Sequence, residues 1–393
     1  MRPLRCAVIG AGVLGAGVAA RLAEAGAAVT LLEQDRPGQA ATRSSFAWLN
    51  ANRKTPRTYY DLNHAGMQAW AQFAASAGQP AWYQSSGNLE WAGDAQAHAE
   101  LAARVRRLTE WGYPAGFLDA AWALELEPAL RLPAPAAEVA WFPDEGYLLT
   151  EPAVGYLVDL AAGYGARLLT GEPGRVTGFR PLAGQSPEAG GGRAVQTAGG
   201  ELIEADVIVC CAGRWVPGLA RRAGATAPVP LVPWEPPGAE APGLVVQAGP
   251  VAGLTRMVHA PRVYLRPHGD SLIHLEAPDA AVDLHTPDAE LRRWAAELLH
   301  RARRVIRGLD GAEVTGYRVC VRPMPADGES IVGWLPGAGR VYAAVTHSGV
   351  TLGAHLARLV AAEVAGGAEL PELAPYRPDR FAAAGTAFRV EHD

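Results

Sequence analysis

An α/β fold, in which a Rossmann-like nucleotide-binding domain is interleaved with a mixed, mostly antiparallel α+β domain, is the architecture this sequence predicts. Three stretches carry the prediction: 6–34 near the start, 205–215 in the middle and 322–357 towards the end. In the first, Ala7–Ile9 is an apolar run suited to a buried parallel strand. Gly10, Gly12 and Gly15 then form a GxGxxG turn, an alanine-rich helix runs to about Gly26, and Ala28–Leu32 is a second strand ending in Glu33. Gly10 permits the tight turn, Gly12 lets backbone approach a pyrophosphate, and Gly15 lets helix and sheet pack closely. The helix N-terminus stabilises the phosphate charge. Glu33, followed by Gln34, lies where a carboxylate accepts hydrogen bonds from both hydroxyls of an adenosine ribose and repels a 2′-phosphate.

The rest of the chain supplies the other elements in order. Tyr59, Leu62, Gly66, Trp70 and Phe73 recur at three- and four-residue steps, one buried helix face. A short strand is expected around Gln84–Trp91, and Ala95–Glu110 has the pattern of an amphipathic helix with Arg104, Arg106 and Arg107 on its solvated side. Asp144–Leu169 holds a helix started by proline and then a strand, with Val176 in the next strand. Residues 180–200 are rich in glycine and proline and predict a surface loop or hairpin. Ala205–Gly213 is a short apolar strand ending in small residues, the kind that delivers its C-terminal end to a ligand, here through Ala212, Gly213 and Trp215. Prolines in 228–250 mark a boundary, Val263–Glu276 alternates like a hairpin, and Asp288–Arg307 is strongly amphipathic. Val341–Thr346 is a last buried strand, and a helix over Leu352–Ala365 ends at Gly366 and Gly367. The expected division is 1–83, 145–225 and 317–393 for the nucleotide domain, with 84–144 and 226–316 for the substrate domain.

Composition narrows the function. A chain of 393 residues is too long for one ordinary core, and 49% hydrophobic content marks a packed protein. A net charge of −5, with arginines scattered among acids, leaves no basic field for nucleic acid. Lys54 is the only lysine, which removes lysine from almost every mechanistic role. The four cysteines have no metal-ligand spacing, so neither a metal site nor a disulfide framework is expected, and a cytoplasmic location fits. No stretch is long and apolar enough to span a bilayer.

Four segments carry a family resemblance: GAGVLG with Glu33; Thr42, Arg43, Ser44 and Ser45; DVIVCCAGRW from Asp206; and the tail RPMPADGESIVG from Arg322 with HSGVTLG from His347. Together they resemble the flavin-dependent amino-acid oxidoreductases related to D-amino-acid oxidase, in the branch of glycine oxidase, sarcosine oxidase and D-amino-acid dehydrogenase. The resemblance implies FAD, held by the N-terminal segment and by a second contact zone in the tail. There, His347–Gly353 follows a buried strand and opens a helix. Its N–H groups around Gly349, Val350 and Thr351 suit the negative charge of a reduced flavin.

Family resemblance also assigns roles at the substrate. Arg322 would either anchor an amino-acid carboxylate bidentately or form a surface or structural salt bridge, with Arg266 as the next choice of anchor. Tyr264 either helps hold that carboxylate or is a half-buried strand aromatic. His347 either orients the substrate and tunes the ring or is structural. Cys320 stands where sarcosine oxidases tether the flavin, so it is either a covalent attachment point or an inert buried thiol. Those enzymes place a lysine near the flavin on the hairpin, where Ile273 is the expected match with His274 beside it. Either O2 or another electron acceptor is therefore open. The implied activity is FAD-dependent oxidation of the CH–NH bond of a small-molecule amino acid or amine. The alternatives are a 2-hydroxy-acid oxidoreductase on the same scaffold and a non-catalytic nucleotide-binding protein. A flavin monooxygenase is disfavoured, because Gly93-Asp94-Ala95 lies far from the C-terminal third where its second Gly-Asp is expected.

Overall fold

The computed structural model describes residues 2–133, 138–182, 191–235, 240–269 and 271–382. The chain opens as its glycines require, with β1 (Arg5–Ile9), α1 (Val13–Glu24) and β2 (Ala28–Glu33). After β3 (Trp48–Leu49) comes α2 (Arg57–Ser76), whose Tyr59, Leu62, Gly66, Trp70 and Phe73 are all buried, as their spacing demands. A first excursion holds β4 (Tyr83–Gln84), β5 (Asn88–Glu90), α3 (Ala95–Glu110), β6 (Gly116–Leu118), α4 (Ala120–Leu126) and β7 (Val139–Phe142). The Asp94 side chain caps α3 by accepting from Ala97 N at 2.8 Å.

The chain returns through β8 (Gly146–Leu148), α5 (Thr150–Gly163) and β9 (Arg167–Thr170). A meander of β10 (Val176–Pro181), β11 (Arg193–Thr197) and β12 (Leu202–Ala205) follows, then β13 (Val207–Cys210) and α6 (Val216–Arg222). The tip of the expected glycine-rich insertion, 183–190, lies outside the described residues. The second excursion is β14 (Pro242–Gly249), β15 (Met257–Ala260), β16 (Val263–His268), β17 (Leu272–Glu276), α7 (Asp288–Val305) and β18 (Glu313–Val321). The last elements are β19 (Ile331–Trp334), β20 (Val341–Val345) and α8 (Gly349–Gly366), which ends at Gly367 with φ 73°.

Two large sheets result. One has the order β19-β20-β13-β1-β2-β9 and is parallel except for β19; the other runs β18-β14-β17-β16-β15-β5-β7-β6 and is antiparallel except where β5 meets β15. β13 is central and fully apolar, flanked by β1 and β20. Helices α1 and α8 share one core on the parallel sheet, and α7 covers one face of the larger sheet over Leu244, Leu265, Ile273 and Leu275. The parallel strands deliver their C-terminal ends to the same edge, above which the larger sheet turns its other face.

Several sequence expectations change. The proline-rich boundary contains β14, a buried strand between β17 and β18, because its prolines stand outside the strand or at its first residue. Position 317 falls inside β18. Helix α8 starts three residues earlier than its apolar pattern suggests. Arg104 is not on a solvated face: it pairs with Glu90 at 2.6 Å. No described helix is long and apolar enough to cross a membrane.

Candidate active site

Both sheets line one cleft of about 2140 Å³. At its nucleotide end the glycines have the tight surroundings their spacing implies. Gly10 has φ 97°, and a β-carbon there would lie 2.8 Å from Ala212 Cα, so turn and strand end touch. Gly15 does not face the cleft; its β-carbon would lie 1.8 Å from the Gly10 carbonyl oxygen, which is the close helix contact expected of it. Gly12 does line the cleft, beside Thr42, whose Oγ1 accepts from Val13 N at 3.2 Å. Glu33 accepts from Ala11 N at 2.8 Å and from Asp35 N at 3.1 Å. These bonds hold the carboxylate at the end of β2, with lone pairs to spare for ligand hydroxyls. Gln34, Ser44, Ser45, Val176, Ala212, Gly213 and Trp215 line the same wall. Arg43 does not, because it pairs with Glu151 at 2.9 Å.

The start of α8 forms the middle of the cleft. Gly349, Val350 and Thr351 line it with the unsatisfied N–H groups of a first helical turn. Thr351 Oγ1 donates to Trp48 O at 3.1 Å and so ties the turn to β3. Two helix starts, α1 and α8, thus open onto one long cleft, with a carboxylate placed for a ribose at its far end. That donor set fits an extended dinucleotide such as FAD.

At the other end, strand register builds a polar row. Glu90, His259, Tyr264 and Glu276 are successive partners across β5, β15, β16 and β17. The His259 ring lies between Trp48 and Tyr264, with centroids at 4.2 and 4.4 Å, and its Nδ1 meets Asn88 Oδ1 at 2.7 Å. Arg53, from the segment after β3, donates to Tyr264 OH and to Glu90 Oε1, both at 2.9 Å. That segment is fixed from behind by buried Glu145, which accepts from Trp48 Nε1 at 2.9 Å and Asn52 Nδ2 at 2.7 Å, and also from Asn88 and Tyr113. Burial pushes the Glu145 carboxyl up to about 7, against the pull of these donors.

Arg322, Tyr264, His347 and Cys320 all line this end of the cleft. Arg322 spends Nε on Ala241 O at 3.2 Å and Nη2 on the carbonyls of Glu240 and Pro242, and among the described residues Nη1 is left for a ligand. Arg266 is not an alternative anchor. It is 1% exposed, does not line the cleft, and donates to Phe46 O and to His274 Nδ1 at 2.8 Å. Burial, with Lys54 and Arg322 adding to it, holds His347 well below the usual imidazole range, so it is neutral at pH 7. The Cys320 thiol is pushed up to about 12, chiefly by burial.

Sequence reasoning missed three residues here. Lys54 lines the cleft with Arg53, although the sequence suggested no role for lysine; burial, then Arg53 and Arg322, bring its ammonium down to about 8. Ile273 has no exposure and packs under α7, so it does not face the cleft. The hairpin residue that does is Glu276, three positions on and therefore on the opposite face of the strand. The alternation of Ile273 and Leu275 with His274 and Glu276 was the available signal.

The chain belongs to the FAD dependent oxidoreductase (DAO) family, whose profile matches residues 5–363. It is 26% identical over 387 residues to glycine oxidase of Geobacillus kaustophilus (strain HTA426), covering 94% of this chain and 95% of that protein. Its fold is similar to L-proline dehydrogenase from P. horikoshii, with a TM-score of 0.80 at 19% identity over 98% of this chain and 99% of that one. It is similar too to iminodiacetate oxidase from Chelativorans sp. BNC1, with a TM-score of 0.76 at 23% identity over 95% and 99% of the two chains. The protein is an FAD-dependent oxidoreductase.

Proposed function

We propose that the protein oxidises the CH–NH bond of a small or medium amino acid, whether primary, N-alkylated or cyclic. The observation that carries this reading is the meeting of Arg322, Lys54 and the Arg53–Tyr264 pair at the cleft end away from Glu33. An amino-acid carboxylate is the anion that would satisfy Arg322 Nη1 and Lys54, whose ammonium has no hydrogen bond or ion pair among the described residues. The names of the similar proteins, glycine oxidase, L-proline dehydrogenase and iminodiacetate oxidase, agree with an amino-acid substrate.

FAD supplies the hydride acceptor. The Gly10–Val13 turn with Thr42 would hold its diphosphate, Glu33 its adenosine ribose, and Gly349 to Thr351 the negative charge of the reduced ring. The protein's own task is positioning: Arg322 and Tyr264 fix the carboxylate so that the Cα hydrogen faces the acceptor. The resulting imine is hydrolysed by water to an oxo acid and an amine. Neutral His347 borders the reacting region without adding charge. Lys54 supplies a cation from a different element than the hairpin, which keeps O2 as a candidate acceptor.

A screen of amino acids, N-alkyl glycines and 2-hydroxy acids tests this, first without O2 or any added acceptor to follow the flavin itself, then with an artificial electron acceptor and with O2 in parallel to follow turnover. Bleaching of the flavin by amino compounds is expected. Bleaching by 2-hydroxy acids alone would overturn the proposal.

A further inference from the structure

Glu276 differs from the rest of its row. Glu90 holds Arg53 and Arg104, His259 holds Asn88, and Tyr264 holds Arg53. Among the described residues no hydrogen bond or ion pair engages the Glu276 carboxylate, which is partly buried and lines the cleft. The neighbouring arginines have committed most of their donors elsewhere: Arg53 to Tyr264 and Glu90, Arg322 to three backbone carbonyls. Glu276 and Arg322 nevertheless converge. A β-carbon at Gly243, across from Cys320, would lie 3.6 Å from Glu276 Oε1 and 4.0 Å from Arg322 Nη2. Glycine at that position leaves a floor on which an acid and a base stand side by side.

A carboxylate partly withdrawn from water, with only the longer-range attraction of Arg322, Arg53 and Arg266 to offset this, is stabilised further when a cation arrives. An amino-acid zwitterion brings both charges the site lacks, an anion for Arg322 and Lys54 and an ammonium for Glu276. We infer that Glu276 recognises the protonated amino group of the substrate and so selects amino acids over other carboxylates. The inference rests on the amino-acid reading of this site and adds a specificity determinant to it. It also gives a role to the acid that the hairpin presents to the cleft, where Ile273 was the expected match.

The test uses two achiral probes of nearly the same shape, neither with a Cα hydrogen to lose: 2-aminoisobutyrate, which carries an ammonium, and 2-hydroxyisobutyrate, which carries a neutral hydroxyl. Each is titrated into the FAD-loaded protein, and the visible flavin spectrum reports binding. Wild type should bind the amino compound about ten-fold or more tightly than the hydroxy compound, the span of a charge-assisted hydrogen bond. Glu276→Gln should remove that preference while its affinity for 2-hydroxyisobutyrate is unchanged or improved. Equal affinity for the two probes in wild type, or a preference that survives Glu276→Gln, would overturn the role of Glu276 and leave the carboxylate anchor standing. If Glu276→Gln fails to load FAD, the wild-type comparison alone decides. Binding of neither probe to wild type would bring down the amino-acid reading as well.

Discussion

Arg53 donates from Nη1 to the Tyr264 hydroxyl at 2.9 Å, joining the segment after β3 to the middle of the eight-stranded sheet across the cleft. The phenol oxygen is thereby an acceptor, and its own O–H is left to donate to a substrate oxygen. Tyr264→Phe should accordingly raise KM about ten-fold, with a smaller effect on kcat, because the contact is made in ground and transition states alike. Steady-state kinetics check the split; an unchanged KM would assign the ring to packing against His259.

Lys54 should reveal itself through pH. Its ammonium titrates at about 8 in the cleft against 10.5 for an ordinary lysine. Between those values the unfolded chain binds more protons than the folded one, so this group's contribution to stability rises with pH through that window. Below pH 8 the charged lysine costs stability. Lys54→Met should therefore raise the Tm of substrate-free enzyme at pH 7, by a margin that narrows towards pH 10, while weakening carboxylate binding. A lower Tm at pH 7 would mean that Lys54 has a partner.

What the sequence made legible was local. The glycine turn, Glu33, the apolar β13 and the β16–β17 hairpin each depend on spacing within a few residues, and each stands where it was expected. The cleft wall beside Glu33 was legible for the same reason, since most of it is strand ends and helix starts. The end beside Arg322 was not. Arg53 and Lys54 sit in an irregular segment whose direction is set by Trp48 and Asn52 binding Glu145, nearly a hundred residues on. Strand β14 was obscured by the prolines that surround it. Arg266 looked like an anchor because the hairpin pattern does not show that Phe46 and His274 occupy its donors.

Any flavin that remains with acid-denatured protein should be lost in Cys320→Ser. The thiol lines the cleft, with its Sγ 3.7 Å from Ala41 O, and is the cysteine that the tail segment brings to the cleft. Burial raises it to about 12, so attachment would require the thiolate to form after FAD has bound. Covalent flavin persisting in Cys320→Ser would place the linkage elsewhere.

Arg322→Met should leave FAD bound and raise the substrate dissociation constant about ten- to a hundred-fold, since a charge-assisted contact to a carboxylate contributes roughly 1.5–3 kcal/mol. The carbonyls of Glu240 and Pro242 lose the guanidinium in this variant, while Ala241 O keeps the Arg322 backbone N–H, so intact folding is checked by the flavin spectrum and Tm. A substrate amide, neutral where the acid is charged, separates the two effects. Wild type should discriminate strongly between acid and amide, and the variant hardly at all. Discrimination undiminished in Arg322→Met would move the anchor to Lys54 and Arg53, the other cations lining the cleft beside Tyr264, and would turn the substrate round relative to Glu276.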